Sequence, residues 1–155
     1  MLPKRFPDRD EIATVREMAE QVEPGSADES TRFRVAGRVM ARREMGKITF
    51  LDLVDRSGRI QLLAGKVDVA LGDIIGVGGH PAKSRRGEPS LQVVELELLG
   101  KIRAPLPDTF HGLTDVEARY RKRYLDLLMN EETRENFLLR TRKSARVSSF
   151  ISRSR

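Results

Sequence analysis

Hydrophobic positions along the chain change period twice. Ile12, Val15, Met18 and Val22 recur at helical spacing, with Asp8 or Asp10 ahead of them as an N-cap. They predict a short helix that Pro24-Gly25-Ser26 ends. From Thr31 the period becomes two. Phe33, Val35, Gly37 and Val39 alternate with Arg32, Arg34 and Arg38, as in a half-buried strand. Gly46-Lys47 turns the chain into a second strand, Ile48 to Val54. Asp55-Arg56-Ser57-Gly58 forms a four-residue turn, and Arg59 to Leu63 is a third strand. Asp73 to Gly79 and Pro89 to Leu99 complete the set, separated by the basic turn Lys83-Ser84-Arg85-Arg86-Gly87.

After Lys101 the period returns to helical. A linker bearing Pro105 and Pro107 leads to a helix over Thr114–Met129, with Thr114 as N-cap and Glu117 completing a capping box. Val116, Tyr120, Tyr124, Leu127 and Leu128 mark one face for burial, which puts both tyrosines in a core. Asn130 breaks this helix. Glu131 and Glu132 then start another, whose stripe of Phe137, Val147 and Ile151 is interrupted by Lys143, Ser144 and Arg146. Without partners that last helix is expected to fray. Five short strands with Gly at bends suggest a small closed barrel, of oligonucleotide-binding (OB) or SH3-like type. The pattern gives an α+β class, mainly β: a five-stranded barrel, a short N-terminal helix and a basic C-terminal helical tail. Residues 1–30 form the helix and link, 31–101 the barrel, 102–113 a linker and 114–155 the tail.

Composition narrows the function more than the fold. With 39% hydrophobic and 34% charged residues, the chain reads as soluble and globular. It has no Cys, which removes disulfides, thiolate metal sites and a cysteine nucleophile. His80 and His111 lack ligand spacing. No apolar run approaches a membrane span and no secretory leader is visible, so a cytoplasmic location is expected. The net charge of +6 is unevenly placed. Residues 1–100 hold 16 Lys/Arg and 16 Asp/Glu, whereas residues 101–155 hold 13 and 7. A basic tail on a neutral body points to a polyanion, most simply nucleic acid.

Binding of an oligonucleotide by a small barrel needs an aromatic platform, polar groups that read base edges, and cations for phosphates. If Asp55–Gly58 is the turn, Asp52 pairs with Gln61 and Val54 with Arg59. Phe50 and Gln61 then lie diagonally on one face. Arg42 and Arg43 end the first strand near the same mouth, and Glu88 sits in the last turn. For catalysis the chain offers nothing. Gly76, Gly78 and Gly79 lack the Lys-Ser/Thr of a phosphate loop, and Asp52 and Asp55 read as strand-end and turn residues.

Together these segments resemble a known family. RFRVAGRVMARREMGKITFLDLVDRSGRIQLL (32–63), LGDIIGVGG (71–79) and RRGEPSLQVVELELLGK (85–101) are similar to the anticodon-binding OB domain of class II lysyl-tRNA synthetases. HGLTDVEARYRKRYLDL (111–127), with five basic side chains counting His111, resembles their interdomain hinge. NEETRENFLLRTR resembles the approach to class II motif one.

The resemblance implies that the five strands form an OB-fold barrel, and it implies a set of roles. Phe50 would stack on anticodon bases and Gln61 would read the central uridine. Arg43, with Arg42 beside it, would lie near that base, and Glu88 would meet the first base. Lys83, Arg85, Arg86 and the tail are expected to contact phosphates. The implied partner is lysine tRNA. The family's reaction is ATP- and Mg-dependent charging of that tRNA, and those cofactors would belong to a catalytic domain absent from this sequence.

Two departures carry structural expectations. Only Ala64–Ala70 remain where the family has a longer, helical segment, so one end of the barrel is expected to lie more open. Motifs two and three are missing, so the chain is expected to be either a fragment of a complete lysine–tRNA ligase or a truncated paralogue. The paralogue would bind tRNA, or dock on the full-length synthetase without binding RNA.

Overall fold

The computed structural model describes residues 5–107 and 113–153, with side chains as far as residue 145. The chain divides into two compact units, Met1–Pro105 and Leu106–Arg155.

The first unit contains α1 (Ile12–Glu20), β1 (Phe33–Met45), β2 (Ile48–Val54), β3 (Arg59–Ala64), β4 (Ile74–Lys83) and β5 (Pro89–Gly100). The strands close into a barrel in the order β1-β2-β3-β5-β4. That is the OB arrangement rather than the SH3-like one. Closure depends on β1, which pairs with β4 through Phe33–Arg38 and with β2 through Arg38–Met45. A register shift between Val39 and Ala41 lets one long strand serve both neighbours. β3 meets β5 in parallel, with Gln61 opposite Ser90. β4 runs four residues past the expected Gly79, carrying the β4–β5 hairpin to Lys83 and Pro89.

The alternation expected from the sequence sorts the side chains. Val35 and Val39, Leu51 and Leu53, Ile60 and Leu62, Ile75 and Val77, and Leu91 fill the interior. Each such side chain removed from water contributes about 1.5–3 kcal/mol.

Two elements outside the five strands also pack on the barrel core. Ile12 and Val15 of α1 join the same core, and Ala19 rather than Met18 completes the buried stripe. The link 65–73 supplies buried Val69 and packs Val67 beside it. Neither Asp8 nor Asp10 caps α1. Glu11 holds the cap position without a side-chain bond, and the Asp10 carboxylate accepts the Arg34 backbone N–H at 2.9 Å. The β2–β3 turn does the capping instead. Asp55 Oδ2 accepts the Ile12 N–H at 3.4 Å, and Ser57 Oγ accepts the Ala13 N–H at 3.1 Å.

The second unit comprises α2 (Val116–Arg121), α3 (Arg123–Met129) and α4 (Glu131–Arg153). The single helix expected over Thr114–Met129 breaks at Lys122 (φ −114°, ψ 54°), and Asp115 rather than Thr114 is its N-cap. The side chain it organises around is Asp126, fully buried, not the tyrosines. Its carboxylate accepts from Arg119 Nε at 2.8 Å, from Asn130 Nδ2 at 2.5 Å and from Arg123. Arg119 also donates to Thr133 Oγ1 at 3.0 Å, tying α2 to α4. Burial alone would raise the Asp126 carboxyl. The bonds from Asn130, Arg119 and Arg123 outweigh that and hold it below the ordinary carboxylate value.

Because the inward positions go to this polar hub, Tyr120 and Tyr124 are 72% and 69% exposed, and Val116 is exposed as well. Arg123 stacks on the Tyr120 ring at 4.9 Å. α4 runs from Glu131 to Arg153. Lys, Ser and Arg cost a helix backbone little. The linker residues Asp108–Phe110, His111 and the side chains of Val147 and Ile151 lie outside the described residues. Among the described residues no helix is long and apolar enough to cross a membrane.

Candidate nucleic-acid interface

The outer face of β1, β2, β3 and β5 collects most of the expected site. On β2, Thr49, Leu51 and Leu53 point into the core, so Phe50, Asp52 and Val54 point out. The β2–β3 register pairs Asp52 with Gln61 and Phe50 with Leu63, which sets Phe50 and Gln61 diagonal to each other. Arg43 of β1 lies directly opposite Phe50. Phe50 is half-buried and offers a ring face beside an exposed guanidinium.

Gln61 is buried at 8% exposure. Its Oε1 accepts a hydrogen bond from Ser90 Oγ at 3.1 Å, and the same hydroxyl lies 2.9 Å from the Glu88 carbonyl. One hydroxyl hydrogen serves one acceptor at a time, so this contact fixes where the Gln61 amide sits and not which of its ends faces a ligand. Glu88 sits at the end of a turn closed by Ser84, whose Oγ accepts the Glu88 N–H at 3.0 Å. Gly87 takes φ +86° there. The Glu88 carboxylate is exposed and lies 3.8 Å from the Arg16 guanidinium of α1. Arg85 and Arg86 stand exposed at the tip of this turn.

Two expected residues go elsewhere. Arg42 is one residue out of phase with Arg43, opposite Leu51. Its guanidinium donates to the Val69 carbonyl at 2.9 Å and pairs with Glu44 at 2.5 Å, so it secures the link after β3. Lys83 places its ammonium 2.6 Å from the Glu20 carbonyl, where it satisfies the C-terminal end of α1. Neither side chain belongs to the face that carries Phe50.

Two features of this face escaped the sequence reading. One is Ser90, whose contact with Gln61 depends on a parallel pairing that no local pattern reveals. The other is the ion pair of Arg59 with Asp52, 2.6 Å apart and next to Gln61. Alternation already placed both on the outer face, so their spacing was the available signal.

Such a face can stack a base on an aromatic ring, worth about 1–3 kcal/mol, and meet its edge with an amide and a guanidinium. The strand-two and strand-three surface with the β4–β5 loop is where OB barrels take oligonucleotides.

Comparison with known proteins agrees with the barrel fold. Residues 33–99 match the tRNA anticodon family, an OB-fold nucleic acid binding domain. The lysine–tRNA ligase of Pectobacterium carotovorum is 47% identical over 129 residues, covering 76% of this chain and 26% of that protein. The lysine–tRNA ligase of Dehalococcoides mccartyi is 44% identical over 131 residues, with 77% and 26% covered. That of Magnetococcus marinus is 41% identical over 157 aligned residues, covering 94% of this chain and 31% of the relative. The chain thus spans about a quarter to a third of the length of these curated relatives. The barrel belongs to the OB-fold tRNA anticodon family, and the chain as a whole is similar to a part of lysine–tRNA ligases.

Proposed function

We propose that the outer face of β1, β2 and β3 binds the anticodon loop of lysine tRNA. Phe50 stacks on an anticodon base, Gln61 reads the central uridine, Arg43 lies beside that base and Glu88 meets the first base. Arg85 and Arg86 contact phosphates. The observation that carries the reading is the register that sets Phe50 diagonal to Gln61 with Arg43 across from the ring. Tethering of the Gln61 amide by Ser90 supports it, because it holds a group able to read a base edge in place beside Phe50. The lysine identity rests on the relatives, which are lysine–tRNA ligases. Charging of tRNA in the cytoplasm, with ATP and Mg, is the activity this reading assigns to a whole protein of that family. It assigns none of that chemistry to residues of the barrel.

The test compares two RNA stem-loops at one salt concentration, one carrying UUU and one changed only at its central base. The expected result is UUU binding about ten-fold tighter, a gap within the roughly 1–3 kcal/mol of one good base contact. Phe50→Ala should erase it. Equal binding of both loops, unchanged in Phe50→Ala, would reject the reading.

A second reading is favoured by the exposed side chains of Tyr120, Tyr124, Phe137, Leu138 and Leu139 in the helical unit. In that reading the unit associates with a full-length synthetase. Co-sedimentation of the chain with such an enzyme tests it, and chain that sediments alone excludes it.

A further inference from the structure

We propose that Asp52 and Arg59 form a charge-neutral reading element, in which Arg59 hydrogen-bonds a base flanking the one that Gln61 reads and Asp52 positions its guanidinium. The inference rests on the anticodon reading above and adds to it a residue and its mode of action.

Geometry places the pair in the site. Arg59 and Gln61 are two residues apart on β3, so their side chains leave the same face about 7 Å apart along the strand. Asp52 pairs with Gln61 across the β2–β3 ladder, and Val54 pairs with Arg59. The Arg59 guanidinium therefore leans diagonally back toward Gln61 to reach Asp52, Nη2 to Oδ2 at 2.6 Å.

Burial makes the two partners unequal. The Asp52 side chain is 8% exposed and that of Arg59 is 64% exposed. A buried carboxylate without a partner is costly, so Asp52 keeps its hold on the guanidinium. The exposed partner loses rotamer freedom and presents its remaining N–H groups in a fixed fork. The Arg59 backbone is held too, its carbonyl accepting from Arg16 Nη1 at 3.0 Å.

Charge determines what such a fork can recognise. Beside a buried carboxylate the pair carries no net charge, so it gains little from a phosphate by long-range attraction. Its directional donors are unaffected, and a base carbonyl or ring nitrogen needs only those. Arg85 and Arg86, exposed at the tip of the β4–β5 turn, are cations of the opposite kind, suited to phosphates. The face thus divides the work between a neutral arginine for base edges and charged ones for the backbone.

The experiment uses the whole chain and stem-loops carrying UUU or a single change at each anticodon position, titrated across a series of KCl concentrations. Three variants are compared, with melting temperatures alongside. Arg59→Gln keeps a donor for Asp52. Asp52→Asn frees the arginine's charge. The double variant restores neutrality with two amides. Arg59→Gln leaves the Asp52 charge unbalanced, so it is expected to weaken every loop at low salt and, beyond that, to lose about ten-fold discrimination at one flanking base. Asp52→Asn is expected to bind every loop more tightly at low salt, to steepen the salt slope by about one phosphate contact, and to lose the same discrimination. The double variant is expected to return to the wild-type slope without regaining selectivity.

If Arg59→Gln weakens all loops equally, with discrimination at every anticodon position kept, Arg59 reads no base and the proposal fails. If it changes neither affinity nor discrimination, the pair is structural only and the proposal fails. Wild-type chain that binds all loops alike would overturn the anticodon reading itself. Wild-type discrimination that survives in Arg59→Gln overturns this inference alone.

Discussion

Gln61 and Ser90 meet where β3 and β5 run parallel, with Ser90 Oγ 3.1 Å from Gln61 Oε1 and both side chains buried. A glutamine amide can present either its oxygen or its NH2 group to a ligand. The Ser90 hydroxyl holds that amide in one place, whichever of its ends faces outward. Ser90→Ala should therefore lower discrimination at the central anticodon base about five-fold, the worth of one net hydrogen bond near 1 kcal/mol. Affinity for loops altered at that base should hardly change. Stem-loop titration of the variant checks this, and Ser90→Thr, which keeps the hydroxyl, should restore most of the loss.

Gly79→Ala should destabilise the barrel strongly. A Cβ there would lie 2.1 Å from the Gln92 carbonyl oxygen, where β4 crosses close to β5 at an irregularity in their register. Backbone cannot yield as a flexible side chain does, so the cost should reach or exceed the roughly 1–3 kcal/mol of ordinary overpacking. Gly58→Ala meets nothing within 4 Å and should be near neutral. Urea unfolding of the two variants side by side makes the comparison.

Asp55→Ala should loosen α1 as well as the turn it sits in. The carboxylate accepts the Ser57 and Gly58 N–H groups at 2.7 and 2.9 Å, the Ser57 hydroxyl at 2.6 Å, and the Ile12 N–H of α1. Loss of a helix cap alone costs about 0.5–2 kcal/mol. Hydrogen exchange over Ile12–Glu20 should quicken in the variant while the exchange of β2 changes less.

Acid should loosen the helical unit through Asp126. Its folded pKa lies below the ordinary value of 3.8, so the carboxylate contributes stability at any pH above that value. That contribution declines as pH falls through 3.8 and is gone below the folded pKa. Exchange protection of residues 113–145, followed from neutral to acid pH, should fall in that window. Asp126→Asn should remove this acid dependence while lowering protection at neutral pH, because Arg119 and Arg123 lose the negative charge and one of the two oxygens they share.

Legibility in the sequence differed between elements for physical reasons. The β2–β3 hairpin was readable because Asp55–Gly58 sets its register, and alternation then puts Phe50, Asp52, Gln61 and Arg59 on one face. The tyrosines of the hinge misled. Tyr120 and Tyr124 have helical spacing, but the chain breaks at Lys122 and buries a carboxylate with two arginines instead. Hydrophobic periodicity carries no term for such a polar hub. Arg42 and Arg43 look alike in sequence, and the one-residue difference in phase sends Arg42 to the carbonyls of the link after β3.

By itself the sequence determined what acts over a few residues: the strand periods, the turn at Asp55–Gly58, the placing of basic charge, and the family motifs. The tertiary structure decided the long-range partners. It paired β3 with β5, placed Ser90 against Gln61, took Asp55 43 residues back to cap α1, and assigned Lys83 to the end of that helix. Such contacts form only when the barrel closes. Closure depends on packing the whole core together, and no local pattern of residues contains it.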